Sequence, residues 1–134
     1  MNCSIVIPVY LREESHRDVV RDSVRNIRIM SKNAYLIIVD DGSPLDTSFL
    51  KPYADMYVKH SENRGISEAW NTGKNKAPTE YVAIVNDDVK VPFKWLETLM
   101  EGFSDNTTGV TAPMQGGPHV KPQKMGTTLL TPNH

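Results

Sequence analysis

Short apolar runs recur along the chain, and each is followed by a polar or helix-forming stretch. The runs are nearly continuous in apolar residues instead of alternating with polar ones, which indicates strands covered on both faces. Such strands belong to parallel sheets that lie between helices. The pattern therefore predicts an α/β protein with an open, mostly parallel sheet and helices on both faces. The predicted strands are Ile5 to Val9, Tyr35 to Val39, Met56 to Val58, Tyr81 to Val85 and Val110 to Ala112.

Three segments between these runs have the character of helices. Val20, Val24 and Ile27 follow the i, i+4, i+7 spacing of one helix face, which predicts an amphipathic crossover between the first two strands. Residues 66–76 and 93–103 are the second and third predicted helices, and the apolar residues of the third are interpreted as core packing.

Length and charge narrow the class of protein further. The 134 residues suit a single domain. The 15 Lys and Arg nearly balance the 16 Asp and Glu, so charge gives no reason to expect nucleic acid or an acidic membrane as partner. No apolar run approaches the roughly 20 residues that span a bilayer, and no leader is recognisable. We therefore expect a soluble, cytoplasmic protein without a membrane span.

The end of the chain differs from the rest in composition. From Pro113 onward it holds four of the nine prolines and three of the eight glycines, with little periodicity. We predict a folded domain over residues 1–114 and a Pro- and Gly-rich loop or mobile tail over residues 115–134. Cys3 is the single cysteine, so an internal disulfide and a multi-thiolate metal site are both excluded.

Polar side chains follow three of the predicted strands where each strand ends. In an open parallel sheet, ligands bind beyond the carboxyl ends of the strands, near the switch in strand order. Two carboxylates about 4 Å apart repel by roughly 4 kcal/mol at an effective dielectric of ~20, so two acidic pairs at one edge indicate a cation or a hydrogen-bonded ligand. Mg²⁺ and Mn²⁺ prefer such oxygen ligands. The residues concerned are Tyr10 and Arg12, then Asp40 and Asp41, then Asn86, Asp87 and Asp88.

Other interpretations of these residues remain open at this point. Asp40 and Asp41 are followed by Gly and Ser, so the pair could simply form a turn. Adjacent residues of an extended strand point to opposite faces, so the two acids of a pair are expected to differ in role. The four histidines share no metal-ligand spacing and are expected at the surface, without an assigned role.

The chain resembles glycosyltransferase family 2, whose members have the Rossmann-like GT-A fold and use nucleotide-diphosphate sugars. The resemblance covers about residues 3 to 114. It rests on Ser4 to Tyr10, on Ile37 to Ser43, on Asn63-Arg64-Gly65 with Ala69, Asn71 and Gly73, on Glu80 to Val82 leading into Asn86-Asp87-Asp88, and on Pro92, Trp95 and Leu96.

The resemblance implies roles for the residues at the strand ends. Asp87 would contact ribose or sugar, and Asp88 and Asp87 would hold a divalent cation, Mn²⁺ or Mg²⁺, on the diphosphate. Asn86 stands where the family has an Asp. Arg64 would lie beside the base, and the alternative is a solvated loop cation. The expected nucleotide-binding residues are Pro8, Val9, Tyr10, Arg12, Asp40, Asp41, Arg64 and Asp87.

The general base that family members carry in a later acceptor-binding region is not identifiable, because residues 115–134 contain no Asp or Glu. Glu68 and Glu101 are possible substitutes. The first hypothesis is an inverting, metal-assisted glycosyltransferase with a UDP-sugar as the first donor to expect and an unknown acceptor. The second is a nucleotide-sugar-binding fragment or degenerate module without activity of its own. Oligomeric state is left open.

A receiver-like phosphoacceptor domain is a remote third hypothesis, since it also gathers acids around Mg²⁺ at strand ends. Such domains place an acidic pair after the first strand, where this chain has Val9-Tyr10. The glycine patterns of a P-loop or a dinucleotide-binding loop are missing.

Overall fold

A computed structural model describes residues 2–104, 108–112 and 129–132 of the chain. Short 3₁₀ turns cover Glu14–His16, Ser48–Tyr53 and Gly102–Ser104. The longer elements within the described residues are β1 (Cys3–Val9), α1 (Arg17–Met30), β2 (Tyr35–Asp40), β3 (Met56–Lys59), α2 (Ile66–Lys76), β4 (Tyr81–Ile84), α3 (Trp95–Glu101) and β5 (Leu129–Pro132).

The five strands form one sheet in the order β3-β2-β1-β4-β5. β1 pairs in parallel with both β2 and β4, and β2 pairs in parallel with β3, whereas β5 runs antiparallel to β4. The chain first builds outward from β1 to β3 and then returns to the other side of β1 with β4. The strand order therefore switches between β1 and β4, which is where open α/β sheets bind ligands.

The side chains of β1 explain why this strand lies at the centre. Every residue from Cys3 to Val9 is buried, and alternate residues face opposite sides of the sheet. Ile5 and Ile7 join the core that α1 and α3 cover, whereas Val6 joins the smaller core beneath α2. The predicted open, mostly parallel sheet with helices on both faces is thereby confirmed.

Gly73 lets α2 lie unusually close to the sheet. A Cβ built on Gly73 would overlap the Cγ1 atom of Val6, which is itself fully buried in β1. No rotamer change at an exposed surface can relieve that overlap, because Val6 is packed on all sides.

We expect Gly73→Ala to destabilise the protein by about 1–3 kcal/mol, although alanine is the better helix former. The measurement is the free energy of unfolding in urea. Asn75→Ala, at an exposed position of the same helix, is the control and is expected to be neutral or slightly stabilising. Equal stability of Gly73→Ala and the wild type would contradict the close approach of α2 to β1.

The third helix is shorter than the sequence predicts. Phe93 and Lys94 precede it, and Lys94 has a left-handed backbone with φ of 60°, which an α-helix cannot contain. After Glu101 the chain tightens into the 3₁₀ turn at residues 102–104. The second helix, by contrast, spans residues 66–76 as predicted.

The predicted fifth strand is wrong. Residues 110–112 contain only an isolated bridge at Thr111, and Val110 is exposed. The fifth strand is instead Leu129–Pro132, which pairs with β4. These four residues fall in segment 115–134, which was predicted as a loop or mobile tail. They are the part of that segment that the structure describes, and the other residues of the segment lie outside the described ranges. A four-residue strand held by main-chain pairing carries too little periodicity to be recognised.

None of the helices within the described ranges has the length and apolar character that crossing a bilayer requires.

Candidate functional site

A cavity of about 390 Å³ opens at the carboxyl ends of β1, β2 and β4. It lies beside the switch in strand order, as the sequence predicted for a ligand site. Six predicted site residues line it, namely Pro8, Val9, Tyr10, Asp41, Asp87 and Asp88. The other lining residues are Asn63, Gly65, Ile66, Ala69 and Asn86.

The ends of β1 and β2 are tied together at the cavity. The backbone N–H of Asp41 donates to the carbonyl of Val9 at 2.8 Å, and the N–H of Leu11 donates to Ser43 Oγ at 2.8 Å. Gly42 follows with φ of +71°, and a Cβ there would overlap the backbone of Glu62. A glycine is therefore needed for the loop of residues 62–65 to pass close to Asp41.

The Asp41 carboxylate is buried and fully ordered by hydrogen bonds. Its Oδ1 accepts from the backbone N–H of Arg64 at 2.9 Å and lies 2.9 Å from His60 Nδ1, and its Oδ2 accepts from the N–H of Gly65 at 2.9 Å. Burial is the largest influence and raises the pKa of Asp41. The hydrogen bonds from His60, Arg64 and Gly65 together outweigh it and leave the pKa below its usual value. Asp41 is therefore an ionised acceptor at neutral pH.

His60 is a site residue that the sequence analysis missed. It was expected at the surface, but its side chain is only 6% exposed and bridges Asp41 and Thr72. Its backbone N–H donates to the Asp40 carbonyl at 2.8 Å, so it directly continues the pairing of β3 with β2. His60 is thus a further polar residue at a strand end, and that position is the signal that could have identified it.

Asp40 does not reach the cavity. Its side chain is fully buried and accepts from the Ser43 backbone N–H at 2.7 Å, from the Thr47 hydroxyl and from Tyr57 Oη at 3.3 Å. The turn interpretation thus holds for Asp40, and the structure does not place it where a nucleotide-binding role was expected. Asp41 lines the cavity instead, so the two carboxylates lie in different surroundings, and the expectation that they differ in role stays a prediction.

The two arginines that were expected to bind the nucleotide also do not line the cavity. Arg12 and Arg64 are exposed, and the contribution of Arg64 to the site is its backbone N–H on Asp41. Glu68 and Glu101, considered as substitute bases, are exposed and absent from the cavity lining as well.

The acidic side of the cavity follows β4. The N–H of Val85 donates to the Val6 carbonyl at 3.0 Å, which extends the pairing of β4 with β1 up to Asn86. Asp88 is exposed and Asp87 is partly buried. Burial, and then the charge of Asp88, raise the pKa of Asp87 to about 6. The Oδ1 atom of Asn86 is buried without a hydrogen-bond partner among the described residues.

Helix α1 fixes the segment that follows Asp88. Ser23 Oγ donates to the Val89 carbonyl at 2.6 Å and accepts from the Val89 N–H at 3.0 Å. The Asn26 side chain makes the same pair of contacts with Val91, at 3.3 Å and 2.7 Å. The main chain beyond the acidic pair is therefore anchored on both sides of Lys90.

The donor atoms at this end of the cavity fit a hard divalent cation. Asp87, Asp88 and the unpartnered Asn86 Oδ1 offer oxygen ligands. The pKa of Asp87 is raised first by burial and then by the charge of Asp88, and a cation would offset that charge. Within the described ranges no cluster of three or more His, Cys, Asp or Glu residues could hold a metal on its own.

Fold and site together define an α/β protein with a cavity at the switch point of its sheet, between an ordered carboxylate and an acidic pair. The chain belongs to glycosyltransferase family 2, whose family model matches residues 4–128. Membership confirms the resemblance seen in the sequence and sets aside the receiver-like hypothesis.

Relatives in sequence are named glycosyltransferases. The pre-mycofactocin glycosyltransferase of Mycobacterium tuberculosis H37Rv is 34% identical over 114 residues, which are 82% of this chain and 23% of that protein. Glycosyltransferase GlyA of Streptococcus pneumoniae serotype 4 is 34% identical over 103 residues, which are 72% of this chain and 14% of that protein. The chain thus spans a quarter or less of the length of these relatives.

Two solved structures establish the GT-A fold. The mannosyltransferase PcManGT from Pyrobaculum calidifontis, in complex with GDP-Man and Mn²⁺, aligns with a TM-score of 0.69 at 21% identity, over 81% of this chain and 34% of that one. Residues 1–349 of TarS from S. aureus align with a TM-score of 0.60 at 15% identity, over 82% of this chain and 34% of that one.

Proposed function

We propose that this chain is the donor-binding part of an inverting glycosyltransferase, and that its cavity holds a nucleotide-diphosphate sugar together with a divalent cation. The observation that carries the proposal is the pairing, in one cavity, of the ionised Asp41 on the β2 side with Asp87 and Asp88 on the β4 side. A nucleotide-diphosphate sugar has a base with N–H donors at one end and a diphosphate at the other, so it matches both sides.

The nucleoside would occupy the side formed by β1 and β2. Asp41 presents an acceptor for a base N–H, and Tyr10 is 43% exposed at the cavity, where its ring is available for stacking on a base. Pro8 and Val9 form the floor, with Ala69 of α2 also in the lining. A UDP-sugar is the first donor to expect.

The diphosphate would lie at the acidic side. Asp88 and Asp87 would hold Mn²⁺ or Mg²⁺ there, with Asn86 Oδ1 as a further oxygen donor nearby. When bound, the cation supplies positive charge that stabilises the diphosphate as it leaves. The GDP-Man and Mn²⁺ bound by PcManGT support such a combination on this fold.

Transfer itself would need a base from elsewhere. In an inverting transfer, an acceptor hydroxyl forms a bond to the anomeric carbon of the sugar, the bond to the diphosphate breaks, and a base takes the hydroxyl proton. The three carboxylates in the cavity lining, Asp41, Asp87 and Asp88, are all assigned to the donor. We therefore propose that the acceptor and the base are provided outside the described residues.

The second candidate function is donor binding without transfer. What favours it is that the described cavity lining holds no carboxylate beyond the three assigned to the donor, so no general base is found there. The cytoplasmic location and the absence of a nucleic-acid partner remain predictions, and the acceptor stays unassigned.

Calorimetric titration distinguishes these functions. UDP-, GDP- and dTDP-sugars are titrated into the chain with and without Mn²⁺, and released nucleotide is then assayed in the same samples. We expect binding that Mn²⁺ strengthens. Slow nucleotide release would support a transferase, and binding without release would support the second candidate. Failure of all three donors to bind with Mn²⁺ would overturn both.

A further inference from the structure

The hydrogen bonds at Asp41 leave it with a single free acceptor position. An ionised carboxylate has about four lone-pair sites, two on each oxygen. Oδ1 faces two donors, His60 Nδ1 and the Arg64 N–H, and Oδ2 faces one, the Gly65 N–H. Among the described residues nothing occupies the fourth site, which belongs to Oδ2, and Asp41 lines the cavity.

His60 is held from both ends of its ring. Because an ionised carboxylate can only accept, Nδ1 of His60 carries the proton that it donates to Asp41. Nε2 lies 2.8 Å from the Thr72 hydroxyl on α2. In the neutral ring Nε2 accepts from that hydroxyl, so Thr72 favours the tautomer that donates to Asp41. Since the side chain is buried, His60 has no room to turn away from either partner.

We infer that His60 is a positioning residue that determines which nucleotide base can donate its hydrogen bonds to Asp41. His60 occupies a lone pair of Oδ1, so Asp41 can accept only one hydrogen bond from a base, through Oδ2. This selects uracil or thymine over guanine. This inference rests on the proposed function and adds the class of base to it.

The selection follows from the donors on each base. Uracil and thymine present one imide N–H between two carbonyls, which suits one free lone pair. Guanine presents a ring N–H and an adjacent amino group, which pair best with both oxygens of a carboxylate at once. With Oδ1 occupied, one of those guanine donors is left without a partner, and an unpartnered buried donor weakens binding. Adenine and cytosine present an unprotonated ring nitrogen at the same edge, which a carboxylate repels.

The test compares binding of UDP and GDP, each with Mn²⁺, to the full chain and to two variants. His60→Leu removes the ring nitrogens, whereas His60→Asn keeps a side-chain N–H near the position of Nδ1. We expect the wild type to prefer UDP by about tenfold or more. His60→Leu is expected to lose that preference, because Oδ1 becomes free for guanine, and His60→Asn is expected to keep it. A general loss of packing would weaken both nucleotides alike and leave their ratio unchanged.

A second measurement, in the free wild-type chain, does not depend on nucleotide. The ¹⁵N chemical shifts of the His60 ring are expected to show the proton on Nδ1, and Thr72→Val is expected to weaken that preference. A proton on Nε2 alone would overturn the inference.

Each further outcome has one meaning. Equal affinity of the wild type for UDP and GDP, or an unchanged ratio in folded His60→Leu, would overturn the role of His60 and leave donor binding standing. Failure of the wild type to bind either nucleotide would overturn the proposed function, and the base selection with it.

Discussion

Replacing Asp88 by alanine is expected to abolish the gain in donor affinity that Mn²⁺ provides. Asp88 is exposed at the acidic side of the cavity, and the described residues supply few other oxygen ligands there. Because a cation at this site depends on so few protein ligands, losing one is expected to weaken Mn²⁺-dependent binding roughly 100-fold or more. The measurement is calorimetric titration of a UDP-sugar into Asp88→Ala with and without Mn²⁺.

Two comparisons make this result specific. Asp41→Ala is expected to weaken the nucleotide even without metal, because it acts on the base and not on the diphosphate. Glu97→Ala, an exposed acid on α3, is expected to bind the donor as the wild type does. If Asp88→Ala bound the donor with its full dependence on Mn²⁺, the assignment of the metal site would be wrong.

Asp87→Asn is expected to stabilise the metal-free protein at neutral pH. Burial and the charge of Asp88 raise the pKa of Asp87 from 3.8 to about 6 in the folded chain. The folded state therefore holds a proton that the unfolded state releases between about pH 4 and pH 6. Wild-type stability falls as pH rises through that window, by up to about 3 kcal/mol. Asparagine has no such charge, so the variant avoids this loss.

Denaturant unfolding at pH 4 and pH 7, without divalent cations, measures the difference. The stability advantage of Asp87→Asn over the wild type is expected to be larger at pH 7 than at pH 4. Glu97→Gln serves as the exposed control and is expected to show no such advantage. An advantage that is the same at both pH values would show that Asp87 is not held in the unfavourable environment described for it.

All four parallel strands were predicted, and the signal is local and strong in three of them. β1, β2 and β4 are buried on both faces, so nearly every residue in them is apolar and the sequence records their position directly. Once the strands are located, their carboxyl ends are known as well, and these ends place Tyr10, Asp41, Asp87 and Asp88 at one edge of the sheet. β5 was not predicted, because four residues give too little periodicity to distinguish a strand from a loop.

The division of roles between Asp40 and Asp41 depends on residues distant in sequence. Strand alternation predicts that the two carboxylates separate, but not which one meets a cavity. Asp40 is hydrogen-bonded to Thr47 and Tyr57 on its side of the sheet, and Asp41 is hydrogen-bonded to His60 on the other side. His60 escaped notice because β3 is short and half-buried, so its end is poorly defined by hydropathy.

The placement of β1 between β2 and β4 also affects synthesis of the chain. β2 can pair with β1 as soon as it emerges, and β3 can then pair with β2, but β4 follows about 45 residues after β2. At about 5–20 residues per second, the other edge of β1 stays unpaired on the ribosome for a few seconds. That edge belongs to a strand with no exposed residue in the folded chain, so the nascent chain transiently offers an unpaired apolar strand edge to other chains.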